Sequence, residues 1–478
     1  MENKLLDNYF ASGQDTESFI TEMKELTMRT SYQFVDTSLT YLLSYHKTVE
    51  ELIEGTDDIK RTYYFYKLDR SNLSKFEKYN NGLTNVPFVI RIKKGEKSTS
   101  CEFFEEIIKN TGLILVYVDE EGNTHYNGIS KYAMKTLCKK ADIKGEHIYK
   151  KGLFRDLYIA DRLLAKYNDE ENEKTERLLN DGFKIVVRHN LKKNRKGELV
   201  KKGFGVVIGV FSGTYNEDSM MTLVELYNLI CKNEILGASK LTYWESNQGY
   251  SSVNIEFPEA ADVFQEKYNL PVKLIPGIQM VSSDCGLSSL VISGTFRVEG
   301  SNYKFIVSEY TRKHTGIFFI PDIMITVEET VIKKLEPYAE SLGKLTEKPL
   351  SNYELKTERG KQRNRGLIQN VIKNCFEQLS LARILGQKRS TLVKKYMLET
   401  LSDDIVYTYY DIADMFFHID EYIAEVPITT ILGKTAEENL AREIYKIANV
   451  NFAKYQEEYE KKMMKKEMAK EKVSKKNN

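Results

Sequence analysis

Between Pro276 and Gly316 the chain reads PGIQMVSSDCGLSSLVISGTFRVEGSNYKFIVSEYTRKHTG, its longest stretch of strand-type alternation. Alternation at period two commits a segment to β-structure with one face buried. Glycines at Gly277, Gly286, Gly294, Gly300 and Gly316 punctuate the stretch, and glycine supplies the positive φ that tight turns require. Ser282-Ser283-Asp284-Cys285-Gly286 is expected to be a turn that fixes the register of a central hairpin. The stretch ends in a basic cluster, Arg312-Lys313-His314.

On either side the pattern changes. Phe19, Met23 and Leu26 recur at helical spacing near the start, and β-branched or aromatic runs follow at Tyr63–Tyr66, Val86–Ile92 and Leu113–Val118. Helical spacing returns at Tyr132, Met134, Leu137 and Cys138 and again over Ile159–Leu179. Phe183–Arg188 and Phe204–Phe211 then read as strands flanking a basic hairpin loop with Asn194 and Gly197 in it. Beyond Gly316 nearly every segment reads as helix. A chain of 478 residues is expected to form two or three domains. The division suggested is an N-terminal α+β region over 1–125, an α+β core over 126–345, a helical region over 346–460 and a disordered basic tail over 461–478. Pro349–Gln362 reads as a polar linker. The fold class expected is α+β, a mixed or antiparallel sheet core with a mostly helical C-terminal part.

Lys and Arg number 70 against 69 Asp and Glu, a net charge of +1. The whole molecule is therefore not a polyelectrolyte binder, and any nucleic-acid contact must come from local patches. The five cysteines are scattered and form no CxxC pair, which argues against a zinc module and for a reducing compartment. The histidines make neither HxxH nor HExxH, and neither a GxxxxGKS/T loop nor a GxGxxG after a strand occurs. No metal and no cofactor is expected. The N-terminal MENKLLDNYF lacks the apolar core of a signal peptide, and no run is long enough to span a membrane. A soluble intracellular protein with no membrane partner is expected.

Two catalytic arrangements can be assembled on paper. Ser283, His314 and Asp284 supply the groups of a serine hydrolase, but Ser283 is not in a GxSxG elbow and adjacent Ser and Asp side chains usually diverge. Asp322 with Glu354 and Lys356 imitates a metal-dependent nuclease, yet Lys356 falls in the expected linker. No catalytic residue is assigned. The basic residues Arg188, Lys192, Lys193, Arg195 and Lys196 instead suit a loop that tracks phosphates. Arg312, Lys313 and His314 follow Tyr303, Phe305 and Tyr310, a combination that suits single-stranded nucleic acid through stacking and phosphate neutralisation.

The chain also resembles the phage/plasmid-like protein family of unknown function. Pro276-Gly277-Ile278, Ser282-Ser283-Asp284-Cys285-Gly286, Phe296-Arg297 with Asn302, and His314-Thr315-Gly316 follow that family's order of motifs. Upstream, Tyr132-Ala133 and Phe211-Ser212-Gly213-Thr214-Tyr215 fit as well, and Ile412-Ala413 to His418 resembles its late helix. The resemblance spans roughly residues 130 to 450. Ser282 stands where the family has Asn, Gly300 where it has Cys and Tyr303 where it has Gly. A turn role would survive those changes. The resemblance implies a bacteriophage or mobile-element setting inside the bacterial host. The function expected is non-enzymatic association with nucleic acid, single-stranded DNA in replication or recombination, with homo-oligomerisation possible. The alternative is a virion structural or assembly protein such as a capsid subunit.

Overall fold

The alternating stretch forms three successive antiparallel strands, and a sheet is built outward from them. A computed structural model describes residues 9–36, 40–68, 85–96, 98–140, 152, 155–160, 183–212, 219–314, 319–428 and 432–474. With strands numbered along the chain, β12 (Leu274–Ser282), β13 (Leu290–Val298) and β14 (Lys304–Arg312) join β1 (Phe10–Gly13), β10 (Lys240–Asn247) and β11 (Ser251–Glu256). Their order is β1-β10-β11-β12-β13-β14, antiparallel throughout. The Leu274–Val298 and Leu290–Arg312 pairings set the register.

The second sheet has eight strands. It takes β2 (Thr30–Val35), β3 (Thr40–Leu52), β4 (Ile59–Leu68), β5 (Asn85–Ile92), β6 (Leu113–Val118), β7 (Thr124–Ile129), β8 (Phe183–Lys193) and β9 (Leu199–Ser212). Their order is β2-β8-β9-β7-β6-β3-β4-β5, and β7 runs parallel to β9 while the other neighbours are antiparallel. The protein is thus α+β, with antiparallel and mixed sheets and with helices concentrated in the C-terminal part. Strands from both sides of residue 125 share each sheet, because β1 pairs with β10 and β2 with β8.

One apolar face of the six-stranded sheet carries Trp244, Val253, Ile255, Ile278, Met280 and Ile292, all buried. Over the same core lie the helices Thr16–Arg29, Met220–Cys231 and Leu335–Thr346. Two of these helices start where their sequences supply a side-chain cap. Asp15 accepts from Ser18 N at 2.7 Å, and the Ser219 hydroxyl accepts from Met221 N. The C-terminal helices pack on the same core at β14, where the Phe305 ring stacks on Phe417 with centroids 4.6 Å apart. Two expectations fail here. Pro349–Gln362 is no linker: Leu350 is fully buried and donates its N–H to Tyr407 O at 2.7 Å, and the helix Glu358–Gln378 begins within the segment. Nor is 461–474 disordered, since the helix Phe452–Ser474 runs through it. Glu467 of that helix takes both Arg359 and Arg363 as partners, so a segment without an apolar stripe is held by charges from a distant helix. Residues 475–478, and 161–179 of the helix expected over Ile159–Leu179, lie outside the described residues. Among the described residues no helix is long and apolar enough to cross a membrane.

Phe305 therefore pins the C-terminal helices to the sheet. Phe305→Ala should cost about 3–5 kcal/mol, the usual range for a buried phenylalanine. Urea unfolding should show that loss as a shift of one transition, followed by both far-UV circular dichroism and tyrosine fluorescence. Two separated transitions, with the sheet unaffected, would show instead that the helices fold apart from it.

Candidate functional site

The basic hairpin is formed by the ends of β8 and β9. Lys192 stands opposite Val200 and Lys193 opposite Leu199. Between them Asn194 organises the turn, its Oδ1 accepting from Lys196 N at 2.9 Å and Glu198 N at 3.0 Å, while Gly197 takes a φ of +82°. Lys192, Lys193, Arg195 and Lys196 are all exposed, and among the described residues none of them forms an ion pair. Leu199 and Val200 are partly exposed beside them. The arm is rooted by Lys201, whose Nζ donates to Thr30 O at 2.8 Å.

Arg188, the first residue of the expected patch, is elsewhere. It is 1% exposed, and it grips Asp284 with two bonds, Nη1 to Oδ2 at 3.0 Å and Nη2 to Oδ1 at 3.1 Å. Its Nη1 also donates to Thr30 Oγ1 at 2.6 Å and to Leu26 O at 3.3 Å. No phosphate can reach it, so its assignment to nucleic acid is withdrawn. Burying a guanidinium costs several kcal/mol unless a carboxylate and further acceptors surround it, and Asp284 with Thr30 supplies that surround.

The turn Ser282–Gly286 consequently does more than reverse the chain. Asp284 O accepts from Tyr32 Oη at 3.1 Å and Gly286 O from Tyr132 Oη at 3.0 Å. Ser283 donates to Gly249 O at 2.5 Å and accepts from Leu287 N at 3.1 Å. Gly286 has a φ of +73°, and a Cβ there would overlap the Phe211 ring. The turn plugs the six-stranded sheet into the eight-stranded one. No hydrolytic triad exists among these groups. The Ser283 proton goes to a carbonyl, Asp284 is committed to Arg188, and His314 Nε2 donates to Ser288 O at 2.8 Å.

His314 is buried, whereas Lys313 is exposed and Arg312 half-buried at the end of β14. These three belong to the six-stranded sheet, and the arm belongs to the other. Phe296 is a core residue. Arg297 makes a bidentate pair with Glu256 at 2.9 and 2.8 Å, and Lys304 lies 3.2 Å from the same carboxylate. Burial works to raise the Glu256 carboxyl, but the two cations overcome it and hold its pKa below the usual range. Gly316 and Gly213–Tyr215 lie outside the described residues. Among the described residues no cluster of His, Cys, Asp and Glu could hold a metal ion.

Sequence reasoning passed over one feature, a cavity of about 820 Å³ on the polar face of the six-stranded sheet. Its signal was present in the alternate residues Ser252, Asn254 and Glu256 of β11 and Ser293, Thr295 and Arg297 of β13. Such a row reads the same whether water or a helix covers it. No family model, no curated protein and no solved structure matches the chain.

Breaking the buried pair from one side leaves the other charge uncompensated, so Arg188→Met or Asp284→Leu alone should cost about 3–5 kcal/mol. The double variant should cost clearly less than the sum, and urea unfolding of the full cycle measures the difference. His189 gives a second handle. Burial first, then the charges of Lys201 and His125, push its pKa down to about 4. The unfolded chain takes up this proton near pH 6.5 and the folded chain only near 4. Stability is therefore constant above that window and falls through it as the pH drops. The loss should be on the order of 3 kcal/mol, and His189→Gln should flatten that part of the stability profile relative to the native chain.

Proposed function

We propose that this protein is a non-enzymatic nucleic-acid-binding protein, with single-stranded DNA as the form it handles and the β8–β9 arm as the contact. The observation that carries the reading is the arm itself: four exposed cations on a two-stranded projection, without ion pairs among the described residues. Lysines and arginines not already held by carboxylates are the ones that displace counterions from a phosphate backbone. Residues 190–202 contain no aromatic side chain, so the contact works through phosphates and not through stacked bases. Binding should then be indifferent to sequence and steeply dependent on salt. Lys313 and Arg312 supply a secondary basic site at the end of β14. The resemblance to phage/plasmid-like proteins supports a mobile-element setting for this activity.

The test is a fluorescence-anisotropy titration of labelled single-stranded DNA over a salt series. Each phosphate neutralised on a single strand contributes a slope of about −0.7 in log K against log salt. The native chain should show a slope near −3 from the arm's four cations. A variant with Lys192, Lys193, Arg195 and Lys196 all changed to Ala should lose most of that slope while keeping its melting temperature. Unchanged affinity in that variant, or a flat salt profile in the native chain, would sink the reading.

A further inference from the structure

Helices partly cover the polar face of the six-stranded sheet, on which Asn254 and Ser293 are buried and Glu309 is exposed. Tyr243, Asn254, Gln279, Ser293 and Glu309 stand in one cross-strand row from β10 to β14. Helices Ile419–Ala424 and Lys434–Ile444 come round the β14 edge to stand over that face, and Arg442 holds Glu309 at 2.9 Å. They do not close down on it. The cavity of about 820 Å³ remains, and a second of about 510 Å³ shares Tyr243, Asn254 and Gln279 with it. The larger volume is within the range of small-molecule sites.

Its lining carries more carboxylates than cations. Tyr303 Oη and Asp420 Oδ1 are closed to solvent and have no hydrogen-bond partner among the described residues. Asp420 and Glu437 line the cavity, and neither forms an ion pair among those residues. Of the cations at the lining, Lys304 is already paired with Glu256, and the remaining one is Arg389. Against it stand three carboxylates, Asp420, Glu437 and Glu438, the last 3.9 Å from Arg442. Buried polar atoms left without partners are costly, and a site holding several marks a place that something else completes. Apolar side chains, Ile423, Val426 and Leu440, line the cavity as well. A polyanion is repelled by this lining. What fits is a positive, donor-rich head on an aliphatic stem.

We propose that this cavity binds a small organic cation, an aliphatic primary amine or guanidine. Its head is held by Asp420, Glu437 and the Tyr303 hydroxyl, and its stem lies along Ile423, Val426 and Leu440. The site is separate from the β8–β9 arm and does not rest on the nucleic-acid reading.

Isothermal titration of the full chain with cadaverine and with agmatine tests it, with pentanediol as the neutral counterpart of cadaverine. Saturable binding of at least one of the two amines and none of the diol is expected. Changing Asp420→Asn together with Glu437→Gln should weaken that binding at least about tenfold, since each removes a charge-assisted bond. Tyr303→Phe should weaken it about threefold to fivefold. Glu437 is exposed, so Glu437→Gln alone keeps the test valid should the double variant fail to fold, and it should still weaken binding several-fold. Glu457→Gln with Glu458→Gln, on the distant helix Phe452–Ser474, should leave affinity unchanged. The proposal is overturned if neither amine binds saturably or if the diol binds equally well. It is equally overturned if the cavity variants bind like the native chain, or if the distant pair weakens binding as much as they do.

Discussion

A guanidinium and a carboxylate sealed away from water hold the two sheets of this protein in one arrangement. Arg188 on β8 and Asp284 in the turn after β12 are 96 residues apart in the chain. Neither charge is tolerable in that place without the other. Nearby bonds from Tyr32 and Tyr132 reach carbonyls of the same turn. The hydrophobic effect would let the sheets slide or tilt over each other, because apolar contact has no direction. A bidentate ion pair does have direction. The junction therefore fixes the pose of the sheets, while the apolar cores on either side supply the larger share of burial.

The legible parts of the fold were those specified by neighbours in sequence. Alternation over 276–316 marked β12, β13 and β14, the Ser-Ser-Asp-Cys-Gly turn was visible as a turn, and Asn194 with Gly197 marked the tip of the arm. What could not be read was specified by partners far away. Arg188 stands next to exposed lysines and shares their composition, yet its counter-ion comes from another sheet. The segment 461–474 has too few apolar residues to announce a packed helix, and its anchor is a pair of arginines more than a hundred residues earlier. The polar row on β11 to β13 resembles a wetted face because the helices over it arise only after residue 418.

Charge is divided within a nearly neutral chain. The arm gathers cations at a hairpin tip where, among the described residues, no acid is paired with them, and the cavity gathers carboxylates from the helices Ile419–Ala424 and Lys434–Ile444. Net charge averages these away, so the composition hides both. At the end of β14, Glu309 faces Arg442 and Lys313 faces solvent. Local fields of opposite sign thus stand at separate places on one molecule.

The pairing of β1 with β10 has a consequence for how the chain is made. Among the described residues, Phe10–Gly13 pairs in the sheet with Lys240–Asn247, more than two hundred residues further along the chain. The helix Thr16–Arg29 that follows β1 meets the helix Met220–Cys231 in the same core. Until the ribosome has passed Asn247, β1 has no strand to pair with and the helix Thr16–Arg29 lacks cover for its apolar face. Closing so long a loop is slow relative to local contacts. Residues 10–29 are thus among the last parts of the fold to find their place.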